Sequence, residues 1–187
     1  MATRSFTRRC QRLAGRGFTL VELLLSLAIA GILLFAGLPT FQHWLGQYQV
    51  NNQAQFLAGA FNEARSEAIK RNHRVTLCKT GDGRACDEDA KWEQGWIMFA
   101  DRNQNGEIDE DEPVLHTEGP AQARVSVRGN APVANYVSFT GVGHARMLNG
   151  ALQMGTLQVC LSGYDSIKVV LANSGRARIE RTQERCA

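Results

Sequence analysis

The sequence predicts an α+β protein, in which a long N-terminal helix packs on a domain of antiparallel strands held by two disulfides. Three observations carry that expectation. Residues 18–38 bear a single charge, and apolar residues then recur at roughly helical spacing to residue 72. After Arg71-Asn72-His73 the pattern changes to short β-type runs separated by Gly, Asn, Asp and Pro clusters. That second part also holds an even number of cysteines. A helix laid on antiparallel strands can enclose one core, and 187 residues suffice for one such domain plus one extra element.

The elements follow in order. Residues 1–17 contain Arg4, Arg8, Arg9, Arg12 and Arg16 and no acid. Residues 18–38 carry only Glu22 and, as a helix, span about 30 Å, enough to cross a bilayer core. The basic flank predicts a cytoplasmic N-terminus, with the rest of the chain on the far side of the membrane. A mean hydropathy of −0.25 excludes a polytopic membrane protein but not one such segment. Segment 18–39 is therefore expected as a transmembrane and assembly helix. Pro39 removes a backbone donor and clashes with the preceding turn, which predicts a bend or local melting there.

Residues 40–72 read as the amphipathic second half of the helix, which would reach about 80 Å from Phe18. Phe41, Leu45, Tyr48, Phe56, Leu57, Phe61, Ala64, Ala68 and Ile69 recur along it, and Gly46 and Gly59 weaken it without ending it. Residues 73–187 then read as a β-rich globular head. Its expected strands are Arg74–Lys79, Gly95–Ala100, Pro113–Glu118, Ala123–Arg128, Tyr136–Thr140, Gly155–Ser162, Ile167–Ala172 and Ala177–Arg181. A charged fraction of 21% argues against wholesale disorder.

Glu22 needs a reason. A lone carboxylate in an apolar span is costly and by default marks a functional site. A plain secretory signal would have a shorter apolar core followed by small residues at a cleavage site. Gly17-Phe18-Thr19-Leu20-Val21-Glu22 instead resembles the class III signal of type IV pilins and type II secretion pseudopilins. The resemblance implies that prepilin peptidase cuts between Gly17 and Phe18 and methylates the Phe18 amine. It also implies that Glu22 pairs with the N-terminal amine of a neighbouring subunit during assembly. Loss of the leader would remove five arginines and leave 16 Lys and Arg against 18 Asp and Glu, so the mature chain would be slightly acidic.

Cys10 would leave with the leader, and Cys78, Cys86, Cys160 and Cys186 would remain in an oxidising compartment. Three pairings are open. The local choice, Cys78–Cys86 with Cys160–Cys186, is the expected one. A zinc site built from the four cysteines is disfavoured because the spacings lack paired CxxC knuckles. The segment around Cys78, then Trp92-Glu93-Gln94-Gly95-Trp96-Ile97-Met98-Phe99-Ala100-Asp101 and an acidic Asn/Gly stretch, is similar to the GspH/FimT family. That family comprises type IV minor pilins and type II secretion pseudopilins, and the likeness implies a pilin-like fold.

Two motifs could carry chemistry. Asp101, Asn103, Asn105, Gly106, Glu107, Asp109 and Glu112 match the spacing of a twelve-residue EF-hand loop. Its flanks read as strands rather than helices, and Asn105-Gly106 is a hairpin-turn signal. An acidic turn is thus the favoured reading and a stabilising calcium loop the other; no metal or cofactor is expected otherwise. The second motif is Gly175-Arg176-Ala177-Arg178, with Arg181 and Arg185 beyond it. Arginine forks suit phosphate, and residues two apart on a strand share a face. The element resembles a C-terminal motif of the FimT branch, minor pilins implicated in DNA uptake during natural transformation.

Charge is also segregated. From residue 120 onward eight basic residues face three acids, whereas residues 79–118 hold 12 acids and four basic residues. Such polarity can steer a polyanion to one face. The expected DNA-binding set is Gly175, Arg176, Arg178, Arg181, Arg185, Lys168 and Arg146, holding the phosphate backbone with little sequence preference. The competing readings are a structural tip subunit without DNA binding and a pseudopilin of type II secretion. No HExxH, GxSxG or Walker loop appears, and none of His43, His73, His116 and His144 has an evident nucleophile beside it, so no enzyme is expected. The expected partners are other minor pilins, the major pilin, prepilin peptidase, DNA and the inner membrane. The expected location is the bacterial inner membrane before assembly and the pilus tip after it.

Overall fold

The computed structural model describes residues 18–121 and 124–186, with the backbone alone at residues 36–40. The segment expected as a leader, residues 1–17, and the C-terminal Ala187 lie outside the described residues. The chain divides at Phe41/Gln42 into two compact units. One helix, α1 (Leu20–Arg71, 52 residues), contributes to both.

In the first unit α1 presents Leu20, Leu24, Ile29, Leu33 and Phe35 to solvent, among other large apolar side chains. Thr19 caps the helix: its Oγ1 accepts from the Glu22 amide at 3.2 Å. A Thr followed three residues on by Glu is the capping-box spacing, and an acid in the first turn complements the helix dipole. The backbone stays helical through Pro39, so the local melting expected there does not occur. Among the described residues no helix is long and apolar enough to cross a membrane. The expected span 18–39 includes residues 36–39, whose side chains are outside the described set.

The second unit contains the rest of α1 and eight strands: β1 (Val75–Lys79), β2 (Trp96–Ala100), β3 (Val114–Glu118), β4 (Ser126–Gly129), β5 (Tyr136–Phe139), β6 (Gly155–Cys160), β7 (Asp165–Leu171) and β8 (Ala177–Arg185). They form two four-stranded antiparallel sheets, ordered β3-β2-β1-β5 and β4-β6-β7-β8. Each of the eight expected runs contains or overlaps one strand. Most bounds shift by one to three residues, and β8 extends four residues further than its expected run.

The helix face that enters the core takes Leu57, Phe61, Ala64 and Ala68 from the expected apolar set and adds Val50 and Ala54. Val50, Ala54, Leu57, Phe61, Ala64 and Ala68 are fully buried, whereas Phe41, Tyr48, Phe56 and Ile69 are exposed. The buried set alternates steps of four and three, which keeps one stripe of a helix in line. Alanines at 54, 64 and 68 bring the helix backbone close to the strands, and large apolar residues at their positions would hold it off. This stripe joins Val75, Leu77, Met98 and Phe139 of the first sheet with Val127, Leu157, Val159 and Val169 of the second in one core.

The central strands β1 and β2 of the first sheet are buried on both faces, while the edge strand β3 is exposed or half-buried. The far side of the sheet carries Cys78, Ile97 and Phe99, against which Cys86, Ile108 and Tyr136 pack. The loops at 80–91 and 101–113 thus serve as a second cover, and Cys78–Cys86 pins the former to β1. Cys160–Cys186 ties the end of β6 to the residue after β8. Both bridges are the local pairing expected from the sequence.

Candidate nucleic-acid interface

The arginine-bearing strand β8 is the edge of the second sheet, and its register decides which cations act together. Arg128 of β4 lies opposite Gln158 of β6, Gln158 opposite Lys168 of β7, and Lys168 opposite Glu180 of β8. Directly opposed residues point to the same side of an antiparallel sheet. The neighbouring row is Thr156, Val170 and Arg178. The inner rows, Leu157-Val169-Ile179 among them, enter the core. The polar outer face therefore gathers Arg128, Lys168 and Arg178. Arg128 enters the sequence reading only through the regional charge, since no sequence spacing joins it to β8.

Each expected site residue has a definite place. Gly175 lies in the β7–β8 turn with φ +77°, a conformation that favours glycine, and it is buried. A Cβ there would collide with the Gly143 carbonyl and press on Arg65. Its role is to turn the chain and allow that close approach. Of the expected DNA-binding set it is the member buried by the fold.

Arg176 follows Gly175 in the turn, just before β8 begins, and is exposed with no side-chain hydrogen bond or ion pair among the described residues. Arg178 is exposed and pairs with Glu180 at 2.7 Å. Lys168 pairs with Glu184 at 3.1 Å. Arg181 stands opposite the buried Ile167 and reaches α1, where its Nη2 donates to Asn51 Oδ1 at 3.3 Å. It does not share the outer face with Arg178, which period-two alternation between positions 178 and 181 could have indicated. Arg185 lines a groove with Arg128, Gln158 and Glu184 beside the Cys160–Cys186 bridge. Arg146 is half-buried in the loop that abuts the β7–β8 turn, where the Ala145 amide donates to Asn173 O at 3.1 Å.

The structure thus brings together Arg128, Lys168, Arg178 and Arg185, with Arg176 at the strand's entrance, and turns Arg181 away. The charge segregation follows the architecture. The acidic stretch 79–118 contains β2, β3 and their loops in the first sheet, and the basic segment from residue 120 supplies all of the second. Arginine guanidiniums and a lysine on one exposed face can hold phosphate oxygens. Glu180 and Glu184 compete for the same cations.

In the first unit Phe18 is exposed and Glu22 sits in the first turn of α1. The cleavage junction expected at Gly17 lies outside the described residues.

Comparisons with known proteins agree with this architecture. Residues 53–175 match the family described as Type II transport protein GspH. Residues 13–38 match the prokaryotic N-terminal methylation motif. The chain is 33% identical over 173 residues to Pilin-like protein PilA1 of Thermus thermophilus, covering 88% of this chain and 98% of that relative. Two crystal structures of the type IV minor pilin FimU of Pseudomonas aeruginosa share the fold, with TM-scores of 0.55 and 0.52 at 16% identity. They cover 73% and 71% of this chain, and 94% and 97% of their own.

Proposed function

The chain belongs to the family of the type II transport protein GspH, and we propose that it is a minor subunit of a type IV pilus whose second sheet binds the phosphate backbone of DNA. In this reading prepilin peptidase removes residues 1–17 and methylates Phe18. Glu22 and the apolar half of α1 enter the filament core beside other minor pilins and the major pilin. The inner membrane holds the subunit before assembly, and the head then stands at or near the tip, where pilus retraction would draw bound DNA inward during natural transformation. The family is one of structural pilins and pseudopilins, so no catalytic role is assigned.

The observation that carries the DNA reading is the outer face shared by Arg128, Lys168 and Arg178, with Arg176 exposed and unpaired at its end among the described residues. Contacts of this kind position a duplex without reading its bases. Three or four neutralised phosphates give a slope of about −3 in log K against log salt, with weak, micromolar-scale affinity. The test titrates the full chain in detergent micelles with short double-stranded DNA at two salt concentrations, beside an Arg176→Ala/Arg178→Ala variant. Salt-dependent binding that the variant loses supports the proposal. Absence of binding at low salt overturns it.

A second reading rests on the same strand. β8 is a long sheet edge, and charged side chains on an edge prevent pairing with other chains. Because Arg178 and Lys168 each have an acidic partner, the strand also suits a building block of a pilus tip or of a type II secretion pseudopilus without a DNA role.

A further inference from the structure

The loop between β2 and β3 carries two buried carboxylates, each with one oxygen left unpaired. Asp101, its first residue, is fully buried; Oδ2 accepts from Thr76 Oγ1 at 2.8 Å and Oδ1 has no partner among the described residues. Glu112, its twelfth, is 5% exposed; Oε1 accepts from the amides of Arg102 and Asn103 at 2.6 and 3.3 Å, and Oε2 has no partner among the described residues. Those bonds bring Glu112 back to the residues directly after Asp101. Buried carboxylate oxygens are rarely left without a donor or a cation, because desolvating them is costly. Neither carboxylate makes an ion pair among the described residues. Arg74 supplies a cation near Asp101 only. Burial pushes its guanidinium below its usual value and Asp101 acts against that; its terminal nitrogens donate to Ser138, Gln104 and the Arg146 carbonyl, and its buried Nε makes no hydrogen bond among the described residues.

The residues between them present further oxygens. Asn103 and Asn105 both donate their amide N–H to Asp109 Oδ2, at 2.7 and 2.9 Å, which draws the three side chains together. Each Asn Oδ1 accepts one backbone N–H and keeps a second lone pair. Gly106 turns the chain at the loop's sixth position with φ +78°. No cluster of three or more His, Cys, Asp or Glu side chains forms a metal site among the described residues. Two carboxylates supplemented by amide and main-chain oxygens are the donors of a hard cation rather than of a transition metal.

We propose that the loop Asp101–Glu112 binds one calcium ion, with Asp101 Oδ1 and Glu112 Oε2 as its charged ligands and the amide oxygens of Asn103 and Asn105 completing the side-chain set. Asp109 sits at the ninth position, where such loops commonly act through water, and the Glu107 carbonyl at the seventh. The ion neutralises part of the acidic stretch 79–118. It also fixes the loop whose Ile108 covers Cys78, Ile97 and Phe99 on the outer side of the first sheet. The flanking strands, which favoured a plain acidic turn in the sequence, are compatible with this, because the loop is ordered by its own side chains rather than by helices.

The test uses the full chain in detergent micelles, stripped with a chelator and titrated calorimetrically with calcium chloride alone, then with magnesium chloride. The expected result is one calcium per chain with a dissociation constant of about 10⁻⁴–10⁻³ M, the range of extracellular modules. Magnesium should bind more weakly, and the melting temperature should rise with calcium. Glu112→Gln should abolish saturable binding. Because Glu112 is buried and that variant could misfold, Asn105→Ala, at an exposed position, is the second arm. It removes two exposed hydrogen bonds of the loop, so the calcium-free chain should stay folded with a slightly lower melting temperature, and calcium affinity should fall by about tenfold or more. No saturable binding up to about 10 mM, ten times the weakest expected constant, overturns the proposal. So does a calcium response that both variants retain.

Discussion

Arg178 on β8 is held at 2.7 Å by Glu180, two residues further along the same face of the same strand. The pair is exposed, so the bond contributes little to stability. Its larger effect is on what Arg178 can offer a ligand. Glu180→Gln removes the competing charge and leaves the arginine in place. Affinity for a short DNA duplex should rise by about two- to tenfold at low salt and the gain should shrink as salt is raised. Fluorescence anisotropy at two salt concentrations measures it; unchanged affinity would mean that Arg178 takes no part in binding.

Gly175→Ala should destabilise the head by about 1–3 kcal/mol, because φ is +77° there and a Cβ would collide with the Gly143 carbonyl. Thermal unfolding of the full chain in detergent measures the loss. Asn173→Ala, at an exposed position in the same turn, should have a smaller effect. Equal effects of the two would show that the close approach of Gly175 to Gly143 is not what holds the turn.

The two disulfides should contribute unequally. Cys160–Cys186 closes a sequence separation of 26 and Cys78–Cys86 one of 8. On a chain-entropy account the longer loop is worth about 1 kcal/mol more. Replacing Cys160 and Cys186 by Ser should therefore lower the unfolding midpoint further than replacing Cys78 and Cys86, as read by denaturant titration. The reverse order would show that the covering role of the 80–91 loop outweighs loop length.

Acidification has a local consequence on α1. Hydrogen bonds from Arg71, then Lys70, hold the Glu67 carboxyl below its ordinary range. A group whose pKa is lower in the folded chain adds stability above its unfolded value and loses it as pH falls through the folded one. The contribution should therefore be present at neutral pH and fade at and below about pH 4. For surface pairs it amounts to less than about 1 kcal/mol. Glu67→Gln should reduce the difference in melting temperature between pH 7 and pH 3; an unchanged difference would assign the pH dependence to other carboxylates.

Much of the fold was legible because it is locally encoded. The change from helical to alternating apolar spacing after residue 72 reflects two backbone periods, 3.6 and 2, that any short window reveals. The nearer disulfide partners followed from sequence proximity. The helix face was legible in part: Leu57, Phe61, Ala64 and Ala68 enter the core as the spacing suggested. Phe41, Tyr48, Phe56 and Ile69 stay exposed and Val50 and Ala54 take their place in the stripe, because size alone does not mark which residues let strands come close. The outer face of the second sheet was only half legible. Arg176 and Arg178 are neighbours in sequence, but Arg128 reaches the same face, in the row next to that of Arg178, through three successive strand pairings.

The sequence by itself determined the N-terminal methylation motif matched over residues 13–38. Gly17-Phe18 and Glu22 stand at fixed spacing ahead of an apolar run, and such a signal needs no folded context to be present. It also determined the element types and the segregation of acidic from basic stretches. Only the tertiary structure decided which charges act together. Strand register sets Arg178 beside Lys168 and sends Arg181 to Asn51, and the fold buries Gly175 against Gly143. Likewise the twelve-residue spacing at 101–112 was open to two readings until packing removed Asp101 and Glu112 from water and left one oxygen of each without a partner among the described residues. Register and burial arise from pairings between residues far apart in the chain, and no local window of sequence contains them.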